Sequence, residues 1–336
     1  MATSPANSTN LTQDQLAKWL IEDAPYKIQI ARVWPFMGIQ GGKISYARTA
    51  ALESLANIDD MATILGDGAT SGITVQTADP DNPNTTFTLG ELATRYKIDY
   101  SSMDRFKVPN NLDAVESALA IRRLMYMYFR KLDLGTTGGN GDFPSLADMA
   151  VLGNVVTSAG ASLDTAGQME ELQQTYNLVT ANNGRPTAIM CNSRALRYIV
   201  STFYGLGANL EYVDAEWTDP TKGTVRVPQI AINGTPVYVN DMIATVEDPG
   251  PPATSLTKIY FMVLGDSGEA GPTRGITGIV PGPLKDTMFI RRESSEPVAA
   301  SSTSQINVDY TFPVATAMGS SGALAILEGV DVVDFA

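Results

Sequence analysis

The sequence predicts an α+β fold, and three observations carry that reading. The first is a long amphipathic helix signal across Pro109–Gly135. The second is a helix, a buried strand and a helix in direct succession between Thr165 and Phe203. The third is a pair of long alternating strands at Asp286–Val298 and Gln305–Ala315, closed by an apolar strand at Gly322–Val330.

The helix is the stretch the rest is organised around. Asn110 or Asn111 can cap its N-terminus, since an Asn side chain accepts from the free amides of a first turn. Asp113 and Glu116 stand near the positive end of the helix dipole, Arg130 and Lys131 near the negative end. Gly135 can take the left-handed conformation that closes the last turn. Between them Ala114, Ala118, Ile121, Met125, Tyr128 and Leu132 recur at helical steps, and Val115, Leu119, Tyr126 and Phe129 widen the stripe. Such a helix lies along a sheet with its other face partly covered. About 23 residues at 1.5 Å each make a rod of about 35 Å.

In chain order, residues 1–10 offer nothing to bury and read as disordered. Leu11–Asp23 reads as a short helix capped by Thr12, with Leu16, Trp19 and Leu20 on one face. From Ile28 the chain alternates like a strand until Pro35. Gly38–Gly42 is a turn, and Lys43–Arg48 a short alternating strand. A polar, turn-rich stretch follows, and the chain returns through a second alternating run carrying Phe87, Leu89, Tyr96 and Ile98. So long an excursion is unsuited to a lone compact domain and reads as an arm that pairs with something else.

After the central helix a Gly-rich link leads to a helix at Thr165–Ala181, a continuous apolar strand at Thr187–Asn192 and a helix from Ser193, with Ser193 as its cap. Residues 204–227 read as polar and irregular. Gln229–Asn240 is a hairpin turning at Asn233-Gly234. Lys258–Leu264 is a buried strand, Asp286–Val298 and Gln305–Ala315 alternate, and Gly322–Val330 is a last apolar strand.

Composition narrows the function. The 336 residues suffice for two domains or one elaborated domain. A charged fraction of 18% is low for a free monomer and suits a chain whose surface is covered by partners. The net charge of −13, with no Lys/Arg-rich run, lacks the basic footprint of a sequence-independent nucleic-acid binder. No apolar run reaches the length of a membrane span. The polar N-terminus is not a signal peptide, so Asn-x-Ser/Thr triplets at Asn7, Asn10, Asn84 and Asn233 read as accidental. One cysteine, Cys191, allows no intramolecular disulfide, and a cytoplasmic origin is the simplest reading. The absence of histidine removes Ser-His-Asp and Cys-His catalysis and His-ligated zinc.

No motif supplies chemistry. Gly66–Gly72 and Gly135–Gly141 lack the spacing of a nucleotide loop, and no Gly-Lys-Ser/Thr occurs. Ser267 follows a buried strand, but Glu269 stands where a nucleophile elbow needs glycine. Asp79, Asp81, Asn82 and Asn84 have the composition of a calcium loop, but Pro80 and Pro83 break its spacing and Gly90 replaces the final Glu. Cys191 reads as an inert core thiol. No catalytic, cofactor or metal residues are therefore assigned.

The order of elements resembles the major capsid protein of tailed double-stranded DNA bacteriophages, the HK97-type fold. Three stretches carry the likeness: Gly184–Ile199 (G-R-P-T-A-I-M-C-N-S-R-A-L-R-Y-I), Gln229–Asp241 (Q-I-A-I-N-G-T-P-V-Y-V-N-D) and the closing V-D-Y-T-F-P-V-A with G-A-L-A-I-L-E-G-V. The resemblance implies an N-arm at residues 1–36, an extended loop at 37–96, a peripheral domain with a spine helix at 97–139 and 271–316, and an axial domain at 140–270 and 317–336. It implies self-assembly through pentamers and hexamers into an icosahedral capsid around DNA that is not bound sequence-specifically, a virion protein assembled in the host cytoplasm. Inter-subunit contacts are expected at Trp19, Trp34, Lys43, Tyr46, Arg48, Phe87 and Tyr96. A portal and a separate scaffolding protein are the implied partners, with room for a decoration protein. In some relatives a loop Lys crosslinks to an Asn with help from a Glu; Lys43 with Asn307 and Glu293 or Glu296 are the counterparts here, and a solvated Lys43 is the reading preferred. Two rivals stand beside this reading. One is an encapsulin-like shell around a cargo enzyme, and the other a carboxylate-dependent carbohydrate-active or binding protein.

Overall fold

The computed structural model describes residues 28–39, 43–47, 84–99, 112–134, 144–150, 152–160, 164–219, 223–248, 254–265, 275–282, 291–295 and 305–332. The helix expected at Leu11–Asp23, the caps Asn110 and Asn111, and Gly135 lie outside them. Strands β1 (Phe36–Ile39), β2 (Lys43–Ala47), β3 (Asn84–Thr88) and β4 (Gly90–Asp99) precede helix α1 (Leu112–Leu134). There follow α2 (Leu146–Met149), β5 (Val155–Thr157), α3 (Thr165–Asn183), β6 (Ala188–Cys191), α4 (Ser193–Gly205), β7 (Glu211–Asp219) and β8 (Gly223–Ile232). The chain continues with β9 (Thr235–Val239), β10 (Val246–Asp248), β11 (Thr254–Met262), β12 (Ile276–Pro281), β13 (Arg291–Ser295), β14 (Gln305–Met318) and β15 (Leu324–Asp331).

These elements form two lobes. In the first, β14 is the spine of a five-stranded sheet ordered β1-β12-β14-β13, with β4 also paired to β14. The β4–β14 ladder is antiparallel and runs from Asp99↔Gln305 to Gly90↔Val314. In the second, eight strands run β5-β15-β11-β6-β9-β8-β7, with β10 added to β11.

The second sheet explains why its strands read as unbroken apolar runs. Ile189, Cys191, Ile259, Phe261, Ala325 and Leu327 point to one core with Leu172, Val179 and Ile199 of α3 and α4. Their neighbours Ala188, Met190, Tyr260, Met262, Leu324 and Ile326 point to the other core, shared with α1. A strand covered on both faces has no polar phase to alternate with.

α1 presents the expected stripe. Ile121, Met125, Tyr128, Phe129 and Leu132 are buried, and Arg123, Met127, Arg130 and Leu134 form its exposed side. Its last turn joins the lobes. Asp133, buried, accepts from Tyr260 Oη at 2.5 Å and from the Ala244 amide at 2.7 Å. Asn240 Nδ2 donates to the Phe129 carbonyl at 3.4 Å. Burial beside that carboxylate pushes the Tyr260 phenol well up, so it keeps its proton and donates.

Several expectations are corrected. The strand read from Ile28 is a 3-10 turn at Gln29–Arg32, and the strand begins only after Pro35, where the missing N–H costs no ladder bond. Residues 28–39, mostly read as part of an arm, bury Ile28, Ile30, Trp34 and Met37 in the core and place β1 parallel to β12. β4, read as the end of a loop, belongs to the first lobe's sheet. The cap of α4 is Asn192, whose side chain accepts from the Ala195 amide at 2.8 Å, with Ser193 the first helical residue. Residues 204–227 are not irregular: β7 and β8 form a ladder from Glu211↔Ala231 to Asp219↔Gly223.

A Cβ at Gly278 would stand 2.6 Å from the Phe36 ring and 3.0 Å from Tyr128 Oη. Gly278→Ala is expected to lower unfolding free energy by about 1–3 kcal/mol in denaturant titrations. Gly153→Ala, with nothing within 4 Å of its Cβ, is expected to stay within about 0.5 kcal/mol of wild type. Asp133→Ala strands a hydroxyl and an amide, at about 1–3 kcal/mol each. In a Tyr260→Phe background the same change is expected to cost less, and equal costs would show that the pair is not coupled.

Candidate functional site

Among the described residues, no group of three or more His, Cys, Asp or Glu is placed to hold a metal ion. Burial, with Asp241 as the lesser cause, pushes the Cys191 thiol far up, so it is no nucleophile. An open groove of about 460 Å³ lies at the start of α4, lined by Asn192, Ser193, Arg194, Arg197, Asp241 and Glu247 among others. Its polar groups serve one another. Asp241 accepts from the Ser193 amide at 2.9 Å and from the Ser193 hydroxyl. Arg194 donates to Glu247 at 3.0 Å and to Ser255 Oγ at 3.2 Å. Asn192 Nδ2 donates to Thr257 Oγ1 at 2.8 Å and Thr245 Oγ1 at 3.0 Å. This network fastens α4 to the segment after β9 and to β11.

What remains is surface. Of the expected contact residues, Trp19 and Arg48 lie outside the described residues. Lys43 and Tyr46 stand on β2, opposite Thr88 and Thr85 of β3. The β2–β3 ribbon is a two-stranded sheet of its own that frames residues 48–83, and such a ribbon is marginal in water without further packing. Asn307, named with Lys43 for a crosslink, pairs in register with Lys97 and Ser295 inside the first sheet.

Trp34, Phe87 and Tyr96 are engaged within the chain, at 5%, 4% and 6% exposure. Trp34 Nε1 donates to Tyr128 Oη at 2.9 Å. Tyr96 Oη and Ser117 Oγ are 3.0 Å apart, and the Tyr96 ring stacks on Tyr310 at 5.9 Å. Phe87 joins the first lobe's core and roots the ribbon there. The strand alternation of Phe87 and Tyr96 reported burial correctly, whereas Trp34 is buried from a segment that is no strand; alternation cannot say whose core receives the side chain.

The residues that sequence reasoning missed are apolar and exposed. Tyr204 and Leu206 end α4 at 65% and 43% exposure, and Tyr212 opens β7 at 60%. A helical-wheel reading was available: Ala195, Tyr198, Ile199 and Thr202 face the sheet, which leaves position 204 on the outer side. Met127 and Leu134 do the same on α1, and Val246 on β10. None of the described helices is long and apolar enough to cross a membrane.

No protein-family profile matches the sequence, and no curated protein does. Solved structures do. A chain of the holo-SrpI encapsulin complex from Synechococcus elongatus PCC 7942 superposes with a TM-score of 0.61 at 13% identity, over 92% of this chain and 89% of that one. The capsid of an empty GTA particle gives 0.55 at 13% identity, over 90% and 89%. A chain from Mycobacterium phage Bobi gives 0.53 at 13% identity, over 90% of both. Across nearly its whole length, then, the chain has the α+β fold of encapsulin and capsid shells, the HK97-type architecture that its sequence resembles.

Proposed function

We propose that this chain is the shell subunit of an icosahedral capsid enclosing double-stranded DNA, built from pentamers and hexamers of itself. The observation that carries the reading is the shared fold with a GTA capsid over 90% of this chain and 89% of that one, in a molecule with no catalytic arrangement among its described residues. On this reading the first lobe is the peripheral domain with α1 as its spine, and the second lobe is the axial domain. The β2–β3 ribbon carries residues 48–83 as the extended loop over a neighbouring subunit, with Lys43, Tyr46 and Arg48 at its root. The chain ahead of Ile28, Trp19 included, ties subunits together as an arm. Tyr204, Leu206 and Tyr212 supply apolar contact between copies. An acidic balance of −13 keeps the shell wall from gripping packaged DNA. A portal and a separate scaffolding protein are the partners such assembly calls for.

A second reading has its own support. The encapsulin chain superposes at a TM-score of 0.61, above the GTA capsid's 0.55, so a compartment around a protein cargo uses the same wall. The contents decide between them.

Light scattering and negative-stain microscopy of the purified chain test assembly, and absorbance of the particles tests contents. Closed shells, or rings of five and six, are expected, with nucleic acid inside. Shells filled with protein would favour the compartment. A species with the mass of one or two chains that never assembles, even beside a scaffolding protein, would contradict both readings. Replacing residues 48–83 by a short Gly-Ser linker is expected to leave the melting temperature of the single chain within a few degrees and to abolish closed shells; normal shells would remove the loop from the assembly mechanism.

A further inference from the structure

Asn-Gly dipeptides occur at Asn140, Asn183 and Asn233. At such a pair the backbone nitrogen of the glycine reaches the asparagine carboxamide with no Cβ in the way. Asn233-Gly234 turns β8 into β9 with φ values of 50° and 71°, the two positive φ angles of a tight hairpin. Asn233 is exposed, so solvent reaches the pair.

Four side chains from three places in the chain converge on this turn. The Gly234 amide donates to Glu211 Oε2, from β7, at 2.6 Å. Asn233 Nδ2 donates to Gln173 Oε1 at 2.9 Å, and Gln173 Nε2 returns a bond to Asn233 Oδ1 at 3.5 Å, both from α3. The Asn233 carbonyl accepts from Arg185 Nη2 at 2.7 Å and from Tyr176 Oη at 3.5 Å. A Cβ at position 234 would fall 2.0 Å from Arg185 Nη2, the end of an exposed side chain that can swing aside, so it is the positive φ that favours glycine there.

We propose that Asn233-Gly234 is a deamidation site that the fold holds closed, with Glu211 and Gln173 as the closing residues. The reaction needs the Gly234 nitrogen to lose its proton to solvent and attack Asn233 Cγ. The new C–N bond forms as the Cγ–Nδ2 bond breaks, and ammonia leaves with a proton from solvent. Water then opens the five-membered succinimide at either carbonyl, giving aspartate or isoaspartate, with water the only co-reactant and no change of oxidation state. Both closing contacts oppose the first step. An amide already donating to a carboxylate resists becoming an anion beside that charge. The carboxamide, tied at both its atoms to Gln173, has to break those bonds before Cγ can swing towards the nitrogen. The product would set a second carboxylate beside Glu211, and isoaspartate would add a main-chain methylene to the β8–β9 turn. The proposal stands whether or not the chain forms a shell.

Site-resolved peptide mapping by mass spectrometry at mildly alkaline pH tests it, on the intact chain in buffer and in urea. In urea the three asparagines are expected to react at similar rates. In buffer Asn233 is expected to slow at least about tenfold, the scale of a charge-assisted hydrogen bond. Glu211→Ala and Gln173→Ala, each checked for folding by circular dichroism, are expected to return Asn233 towards its rate in urea. A wild-type rate in buffer equal to that in urea would overturn the proposal. So would two folded variants that react no faster than wild type, or a slower Glu211→Ala, which would make the carboxylate a general base.

Discussion

Tyr128 is the point at which the first lobe is held together. Its ring meets Trp34, Phe36, Phe129 and Phe312 at centroid distances between 5.2 and 6.4 Å. Its hydroxyl accepts from Trp34 Nε1 and lies 3.1 Å from Thr316 Oγ1. One fully buried side chain thus joins the chain before β1, the helix α1 and strand β14. Burial pushes its phenol well up, so the group stays neutral and its hydrogen bonds stay made. A phenol without those partners would cost about 1–3 kcal/mol, while the ring contributes about 1.5–3 kcal/mol by leaving water. The polar partners decide whether the ring's burial is a gain.

From that anchor α1 reaches the second lobe. One turn beyond Tyr128, Asp133 meets Tyr260 and the Ala244 amide, and the Phe129 carbonyl meets Asn240. The lobes keep separate sheets, and the larger sheet also owns a separate core under α3 and α4. The core around α1 takes residues from both sheets, among them Met190, Tyr260 and Ile326 from the larger and Ile279, Phe312 and Val314 from the smaller, so the lobes are packed together and the proposed contacts between copies fall on their outer surfaces. The low charged fraction of 18% leaves those surfaces open to apolar contact.

Much of this was legible in the sequence, and the physical reason differs by element. α1 and α3 showed a 3.6-residue period because each buries one stripe. β6, β11 and β15 showed as unbroken apolar runs because both faces are covered. β7 did not show, since the start of this ribbon is solvent-exposed, with Glu211, Tyr212 and Asp214 turned outwards. β12 did not show because Gly278 reads as a breaker, whereas here it admits the Phe36 ring and the Tyr128 hydroxyl. The surface was least legible. Phe87 and Tyr96 have the alternation of buried aromatics, and only the folded chain shows that they and Trp34 are buried against their own neighbours. Leu206 and Tyr212 were passed over because they fall beyond the helix in a stretch with no period, and Tyr204 because it stands on the outer side of α4's last turn.

The most direct test of the central claim is an electron cryomicroscopy reconstruction of the particles the chain forms. The expected density shows rings of five and six copies with the eight-stranded sheets around the axes, both lobes folded as here, and residues 48–83 crossing onto an adjacent copy. A reconstruction in which the eight-stranded sheets lie away from every axis, or in which residues 48–83 contact only their own chain, would contradict the account.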